Sequence, residues 1–150
     1  MKAMRRQRAG GFLIAKIHQL AGRIFAKILK EYQITELNPA QGRIMFPLWR
    51  KDGITINELA KETALGKSTL TSMLDRLENT GHVKRVPSDK DRRKILIYLT
   101  EKDKKLHEKY VQVSKEMTKL FYDGFNPKEI DEFEKYLERI LENLSSASGP

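Results

Sequence analysis

Apolar residues recur along this chain at two periods, and the change from one to the other organises it. From about residue 11 to 31, Phe12, Ile17, Leu20, Ile24 and Ile28 fall at helical spacing, with Leu13, Ala21, Phe25 and Leu29 widening the stripe. This predicts a first helix. Asn38-Pro39 predicts the start of a second, with Asn38 as cap, Pro39 at the first helical position and Gln41 completing a capping box. Pro47 is expected to kink or shorten that helix, because it lacks an N–H for the ladder, and Gly53 to end the segment. Thr55-Ile56-Asn57-Glu58 predicts another capping box and a short third helix to about Thr63. After the turn Ala64-Leu65-Gly66, a fourth helix runs until Gly81 stops it. Its core face is Leu70, Met73, Leu74 and Leu77, spaced i, i+3, i+4, i+7.

The period then shortens. Val83 to Val86 alternates weakly, and Ile95 to Leu99 more strongly, with Ile95, Ile97 and Leu99 on one face. Two short strands are predicted, joined by a turn from Pro87 to Arg93. Helical spacing returns after Thr100-x-x-Asp103, which predicts a cap for a long helix striped by Leu106, Tyr110, Val113, Met117 and Leu120. Gly124 loosens it, and Asn126-Pro127-x-Glu129 repeats the start chemistry of Asn38. Ile130, Phe133, Leu137, Ile140 and Leu144 then form a two-heptad seam. The predicted fold is mainly α with a small antiparallel β-wing. It is a winged helix-turn-helix flanked by N- and C-terminal dimerisation helices. The boundaries are 11–37 for the N-terminal helix, 38–100 for the winged lobe and 101–144 for the C-terminal helices. Residues 145–150, a low-complexity tail, are expected to be disordered.

Charge sharpens this reading. The 150 residues carry a formal net charge of +9, with 33% charged and 39% hydrophobic content. A homodimer doubles that charge, which favours a polyanionic partner. The basic residues Lys2, Arg5, Arg6, Arg8, Lys16, Arg23, Lys27 and Lys30 precede any nearby acid, whereas the last helix is acidic. The anionic partner is therefore expected away from that last helix. Cysteine is absent, which excludes disulfides, thiolate zinc sites and thiol-based redox sensing. The apolar run Phe12 to Ala15 is too short for a signal peptide, and no run approaches a membrane span. A cytoplasmic protein with no membrane association is expected.

The candidate chemistry lies between residues 65 and 100. The side of the fourth helix opposite its core stripe carries Lys67, Ser68, Thr69, Ser72 and Arg76, with Thr71 beside them. Small hydroxyl residues are mediocre helix formers, and a plain solvated face more often uses Glu, Lys or Gln. A helix with such a face fits the major groove, where these groups donate to phosphates and base acceptors. The turn that follows is crowded with Lys90, Arg92, Arg93 and Lys94, and an arginine-bearing hairpin tip fits the narrow, negative minor groove. Asp91 is the odd member, expected to hold an arginine or brace the turn. His18, His82 and His107 are far apart, share no helical spacing with carboxylates, and read as surface or capping residues. No metal ligand set, cofactor motif, Ser-His-Asp grouping or phosphate loop is visible, so no enzyme is expected.

Residues 55 to 106 resemble the multiple-antibiotic-resistance regulator (MarR) family of transcription factors. The carrying motifs are TINELAKET, GKSTLTSMLDRLENTGHVKR and SDKDRRKILIYLT. The resemblance implies an obligate homodimer, with two winged lobes on a palindromic operator in double-stranded DNA. It places Lys67 to Ser72 and Arg76 on the recognition helix and Arg92 at the minor groove. It also implies a small aromatic or anionic effector between the winged lobe and the dimer helices, where His18, Arg23, Phe46 and Trp49 are the candidates. The reading is a sequence-specific DNA-binding regulator, acting as a repressor that an effector releases. The alternative is a non-specific architectural DNA-binding protein. A winged module used for protein contacts is a further rival.

Overall fold

The structure, a computed structural model, describes residues 7–35 and 37–149. The basic residues Lys2, Arg5 and Arg6, together with Pro150, lie outside the described residues. The helices are α1 (Gly10–Glu31), α2 (Pro39–Arg50), α3 (Ile56–Thr63), α4 (Lys67–Asn79), α5 (Glu101–Phe121) and α6 (Pro127–Ala147). The strands are β1 (Ile54–Thr55), β2 (Val83–Pro87) and β3 (Ile95–Leu99). The chain divides into two compact units, residues 1–114 and 115–150, with the boundary inside α5.

The first unit is a winged helix-turn-helix. Local chemistry sets its helix starts. Asn38 accepts from the Gln41 amide at 2.8 Å while the Gln41 side chain accepts from the Asn38 amide at 3.0 Å, a complete capping box. Thr55 Oγ1 accepts from the Glu58 amide at 3.1 Å and caps α3. The αL residue Ala64 at φ 57° turns the chain towards α4. Pro47 does not end α2, which runs on to Arg50. Its missing N–H leaves only the carbonyl one turn earlier, on the exposed residue Arg43, without its usual helical partner. Leu70, Leu74 and Leu77 of α4 are fully buried, and Met73 is half-buried.

The sheet has the order β1-β3-β2, with both pairs antiparallel. The two-residue strand β1 was not expected from the sequence. It is too short to show a period, and it exists because Ile54 pairs with Ile97. Strand β2 runs one residue further than expected, since Pro87 still pairs with Ile95. Val83 opposite Leu99 is the buried end of the hairpin, and Pro87 opposite Ile95 the free end. Ile95 was expected on the core face with Ile97 and Leu99. It is exposed, because at that level the hairpin has left the core. Gly81 at φ +83° lets the chain leave α4 and enter β2, a conformation that disfavours side chains.

Helices α1, α2 and α5 meet at Tyr110. Its ring packs edge-on against Phe25 at 5.7 Å and lies 4.2 Å from the Trp49 ring, centroid to centroid. Burial, and then the negative charge of Asp103, pushes the Tyr110 hydroxyl above its ordinary pKa, so it stays protonated. Further along α1 the apolar stripe emerges: Phe12, Leu13, Ile17, Leu20 and Ile24 are all exposed, Phe12 by 69%.

The second unit is a helical hairpin. Gly124, at φ +84°, separates α5 from α6, and Asn126 with Glu129 forms a second complete capping box. Tyr122 packs edge-on against Phe121, Phe125 and Phe133, with centroids 5.2 to 6.1 Å apart. Its hydroxyl donates to Glu134 Oε2 at 2.8 Å. Burial, then that bond, raises its pKa to about 12. No residue of α6 is buried; Ile140, Leu141 and Leu144 of its seam side are exposed. Residues 145–150 were expected to form a disordered tail; α6 instead includes Ser145, Ser146 and Ala147. These residues are compatible with a helix, and the Ser148 hydroxyl donates to the Ser145 carbonyl at 2.9 Å.

A Cβ added at Gly42 on α2 would fall on the Tyr110 hydroxyl. Helix propensity alone makes Gly42→Ala stabilising by about 1 kcal/mol. Packing reverses the sign: urea unfolding should show a net loss of about 1–3 kcal/mol from forced displacement of the ring. A gain would show that the Tyr110 ring moves aside freely.

Candidate nucleic-acid interface

The exposed side of α4 is built as its sequence requires. The three buried leucines hold one side against the lobe, so the intervening residues face outward. Lys67, Ser68, Thr69, Thr71, Ser72 and Arg76 are all exposed. The cap residue Gly66 has no side chain to bond the first-turn amides, which leaves them open to an anion. A groove of about 550 Å³ runs between the start of α3, Lys67 and the wing base at Arg93 and Lys94. Asn57, which was not singled out from the sequence, also lines it. Helix and wing thus share one surface, with basic groups on both sides of the groove.

The wing tip is braced by Asp91. Its Oδ1 accepts from the Arg93 amide and from Arg93 Nε, both at 3.1 Å, and Oδ2 lies 3.4 Å from Arg93 Nη2. Its carbonyl accepts from the Lys94 amide at 2.9 Å, and the Lys94 carbonyl accepts from the Ser88 amide at 2.9 Å. The hydrogen bonds to Arg93 hold the Asp91 carboxyl below the usual carboxylate range. Arg93 is therefore the arginine that Asp91 holds. Arg92 and Lys90 are exposed and have no carboxylate partner among the described residues.

A second ionic cluster ties α4 to β2. Arg85 Nη2 lies 2.6 Å from Asp75 Oδ1 and 2.9 Å from Glu78 Oε1, and the Arg85 amide donates to Glu78 Oε2 at 3.1 Å. The side-chain hydrogen bond from Arg85 lowers the Glu78 pKa, so the contact holds at neutral pH and is lost only as pH falls below the ordinary Glu range. Asp75, Glu78 and Arg85 were not singled out from the sequence. Two carboxylates three residues apart on a helix otherwise read as cationic were the available signal.

Behind this surface lies a buried polar group. Asp103 has no exposed surface; its Oδ2 accepts from Trp49 Nε1 at 2.7 Å, and its Oδ1 lies 3.4 Å from Nδ1 of the equally buried His82. Its backbone amide donates to Thr100 Oγ1 at 3.4 Å, the expected cap. The histidine reading needs correction here. His82 is not a surface residue but is fully buried, and His107 lies four residues after Asp103 on α5, against Trp49 at 5.3 Å. The reason is tertiary: Thr100 hydrogen-bonds the Gly81 carbonyl, which folds the turn after α4 onto the start of α5.

The effector candidates do not share one environment. Trp49 is turned towards Asp103 and Tyr110, Phe46 is half-exposed beneath the Arg50 guanidinium at 5.9 Å, and exposed His18 lies 3.4 Å from Arg43. Arg23 is exposed. Among the described residues no cluster of three His, Asp or Glu is arranged to hold a metal ion, and no helix is long and apolar enough to cross a membrane.

The MarR family model matches residues 37–95, from the start of α2 to the start of β3. The chain is 31% identical over 131 residues to the uncharacterized HTH-type transcriptional regulator YsmB of Bacillus subtilis, covering 87% of this chain and 86% of that one. The chain belongs to the MarR family. It is also 33% identical over 85 residues to the HTH-type transcriptional regulator TtmR of Methylorubrum extorquens, where the match covers 57% of this chain and 42% of TtmR. Among solved structures, a mutant MarR from E. coli complexed with operator DNA has a TM-score of 0.76 at 27% identity, covering 87% of this chain and 92% of that one. This MarR-family chain is accordingly a transcriptional regulator with a winged-helix DNA-binding fold.

In this regulator Trp49→Phe keeps an aromatic ring but removes the donor to Asp103. The buried carboxylate oxygen loses its only indole bond, and chemical unfolding should register a loss of about 1–3 kcal/mol. Wild-type stability would mean that another group satisfies Asp103.

Proposed function

We propose that this chain is a homodimeric, sequence-specific repressor that binds a palindromic operator and is released by a small aromatic or anionic effector. The observation that carries the DNA reading is the shared surface of α4 and the wing. An exposed hydroxyl and basic helix face lies across a groove from a braced wing whose Arg92 has no carboxylate partner among the described residues. In this reading Lys67, Ser68, Thr69, Thr71, Ser72 and Arg76 enter the major groove. Arg92 enters the minor groove, while Lys90, Arg93 and Lys94 meet phosphates and Asp91 keeps the wing in shape. The operator-bound E. coli relative supports double-stranded DNA as the partner.

The homodimer reading rests on exposed apolar surface. Phe12, Leu13, Ile17, Leu20 and Ile24 on α1, and Ile140, Leu141 and Leu144 on α6, are more apolar area than a monomer ordinarily leaves in water. A second copy covers them by an isologous contact and presents two recognition helices to two half-sites. Effector release needs only a change in the spacing of those helices, since both half-sites must be met at once. His18, Arg23 and Phe46 remain the exposed effector candidates, and an aromatic carboxylate is the probe to try first.

The decisive measurement is binding of a labelled duplex from the gene's own upstream region beside a shuffled duplex, at low and near-physiological salt. The operator should persist at higher salt while the shuffled duplex is lost. Equal binding of both, with random-sequence selection also failing to yield a preferred site, would favour the architectural alternative. Arg92→Ala should weaken all sequences of similar groove width alike. Thr71→Ala or Arg76→Ala should instead change preference among operator variants, by about 1–3 kcal/mol for a true base contact. Loss of the same size for all three on every sequence would refute this division between wing and helix.

Light scattering should give twice the chain mass of 17.4 kDa. Leu144→Glu, which places a charge in the α6 seam, should shift the mass towards that of one chain. A wild-type protein that is monomeric at micromolar concentration would overturn the homodimer.

A further inference from the structure

Asp75 and Glu78 are out of place on a helix that meets DNA. Asp75 is exposed, precedes Arg76, and stands three residues after Ser72 and four after Thr71, so it shares their side of α4. A bare carboxylate there repels phosphate. The structure gives both acids the same partner. One nitrogen of Arg85 bridges Asp75 at 2.6 Å and Glu78 at 2.9 Å, and the amide of the same residue adds a bond to the second Glu78 oxygen at 3.1 Å. Arg85 sits on β2 opposite Ile97, a fully buried residue, and two residues before the wing leaves the sheet at Pro87. The cluster therefore joins the recognition helix to the root of the wing.

Stability does not explain it. Both carboxylates are solvent-accessible, and exposed ion pairs contribute little to folding. Leu70, Leu74 and Leu77 already anchor α4 from its other side. What the cluster changes is the field and the setting of the DNA-facing surface.

We propose that Arg85 is a positioning residue for DNA binding: it cancels the charge of Asp75 and Glu78 and holds α4 to β2, so that phosphates approaching this face of α4 meet no uncompensated carboxylate. This rests on the reading of α4 as the recognition helix. The arrangement also assigns Asp75 a role. Held by Arg85, its carboxylate is not offered to the amino group of a cytosine, so cytosine is not read at that position.

The test uses the full chain and the duplex that the wild type binds best, with four variants. Arg85→Met should weaken binding on the order of tenfold at low salt, with the deficit shrinking as salt screens the freed carboxylates. Adding Asp75→Asn and Glu78→Gln to Arg85→Met should restore binding to within a few-fold of wild type. Arg85→Lys, which keeps the charge, should retain most of the affinity and serves if the methionine variant folds poorly. Arg92→Ala reports on the wing independently. A triple variant no better than Arg85→Met would overturn the charge account, because a simple brace is not rebuilt by removing its partners. Wild-type affinity in Arg85→Met, or a lysine variant as weak as it, would also overturn the proposal. A wild-type chain that binds no duplex, even after selection from random DNA, would instead overturn the regulator reading itself.

Discussion

The winged lobe is organised around a carboxylate that has no contact with solvent. Asp103 stands in the first turn of α5, where a helix N-terminus favours a negative charge. It takes a hydrogen bond from the Trp49 indole on α2 and faces His82 from the turn that ends α4. One buried group thereby fixes three segments relative to one another. Burying a charge without partners is prohibitive, so the chain must bring those partners to it. The consequence reaches the surface. With His82 held inside and Thr100 bonded to the Gly81 carbonyl, the C-terminal end of α4 and the first residue of β2 have set positions. The direction of α4 and the departure of the wing follow from that.

The remaining packing adds constraints of the same kind. Gly42 lets the Tyr110 ring approach α2, and Tyr110 in turn supports Trp49, the donor to Asp103. A chain of close contacts therefore runs from the backbone of α2 to the buried carboxylate. Such contacts tolerate little volume change, because cores are packed as densely as organic crystals. The outer side of α4 is under no such constraint, and its residue choices are free to serve binding.

What could be read from the sequence divides along this line between local and tertiary causes. Asn38-Pro39 with Gln41, and Asn126-Pro127 with Glu129, announce helix starts because a capping box is closed within four residues. The leucine stripe of α4 and the inward role of Asp91 are also local, since a carboxylate inside a run of cations has few other uses. The exposed hydroxyl and basic side of α4 was legible because the leucines left it only one side. Strand β1 was not, because two residues carry no period and Ile54 becomes a strand only when Ile97 arrives. The burial of His82 and Asp103 was hidden for the same reason: each is polar, and only its distant partner makes the interior tolerable. Pro47 stands inside α2, which continues three residues beyond it to Arg50. Ile95 alternates correctly with Ile97, but alternation does not say how far the sheet extends beyond the core.

Several acids on the proposed DNA-facing side obey the same logic of assigned partners. A net charge of +9 says that cations outnumber acids, not that they are free to act. Three acids of the proposed interface have a designated cation: Arg93 for Asp91, and Arg85 for Asp75 and Glu78. The arginines consumed this way are those nearest the base of the wing. Those left without a carboxylate partner among the described residues, Arg76 and Arg92, stand on the helix face and at the wing tip. The same acids that neutralise two arginines also fix the geometry from which the other two are presented. For the sequence-specific regulator proposed above, a fixed placement of few cations is worth more than a larger number of mobile ones.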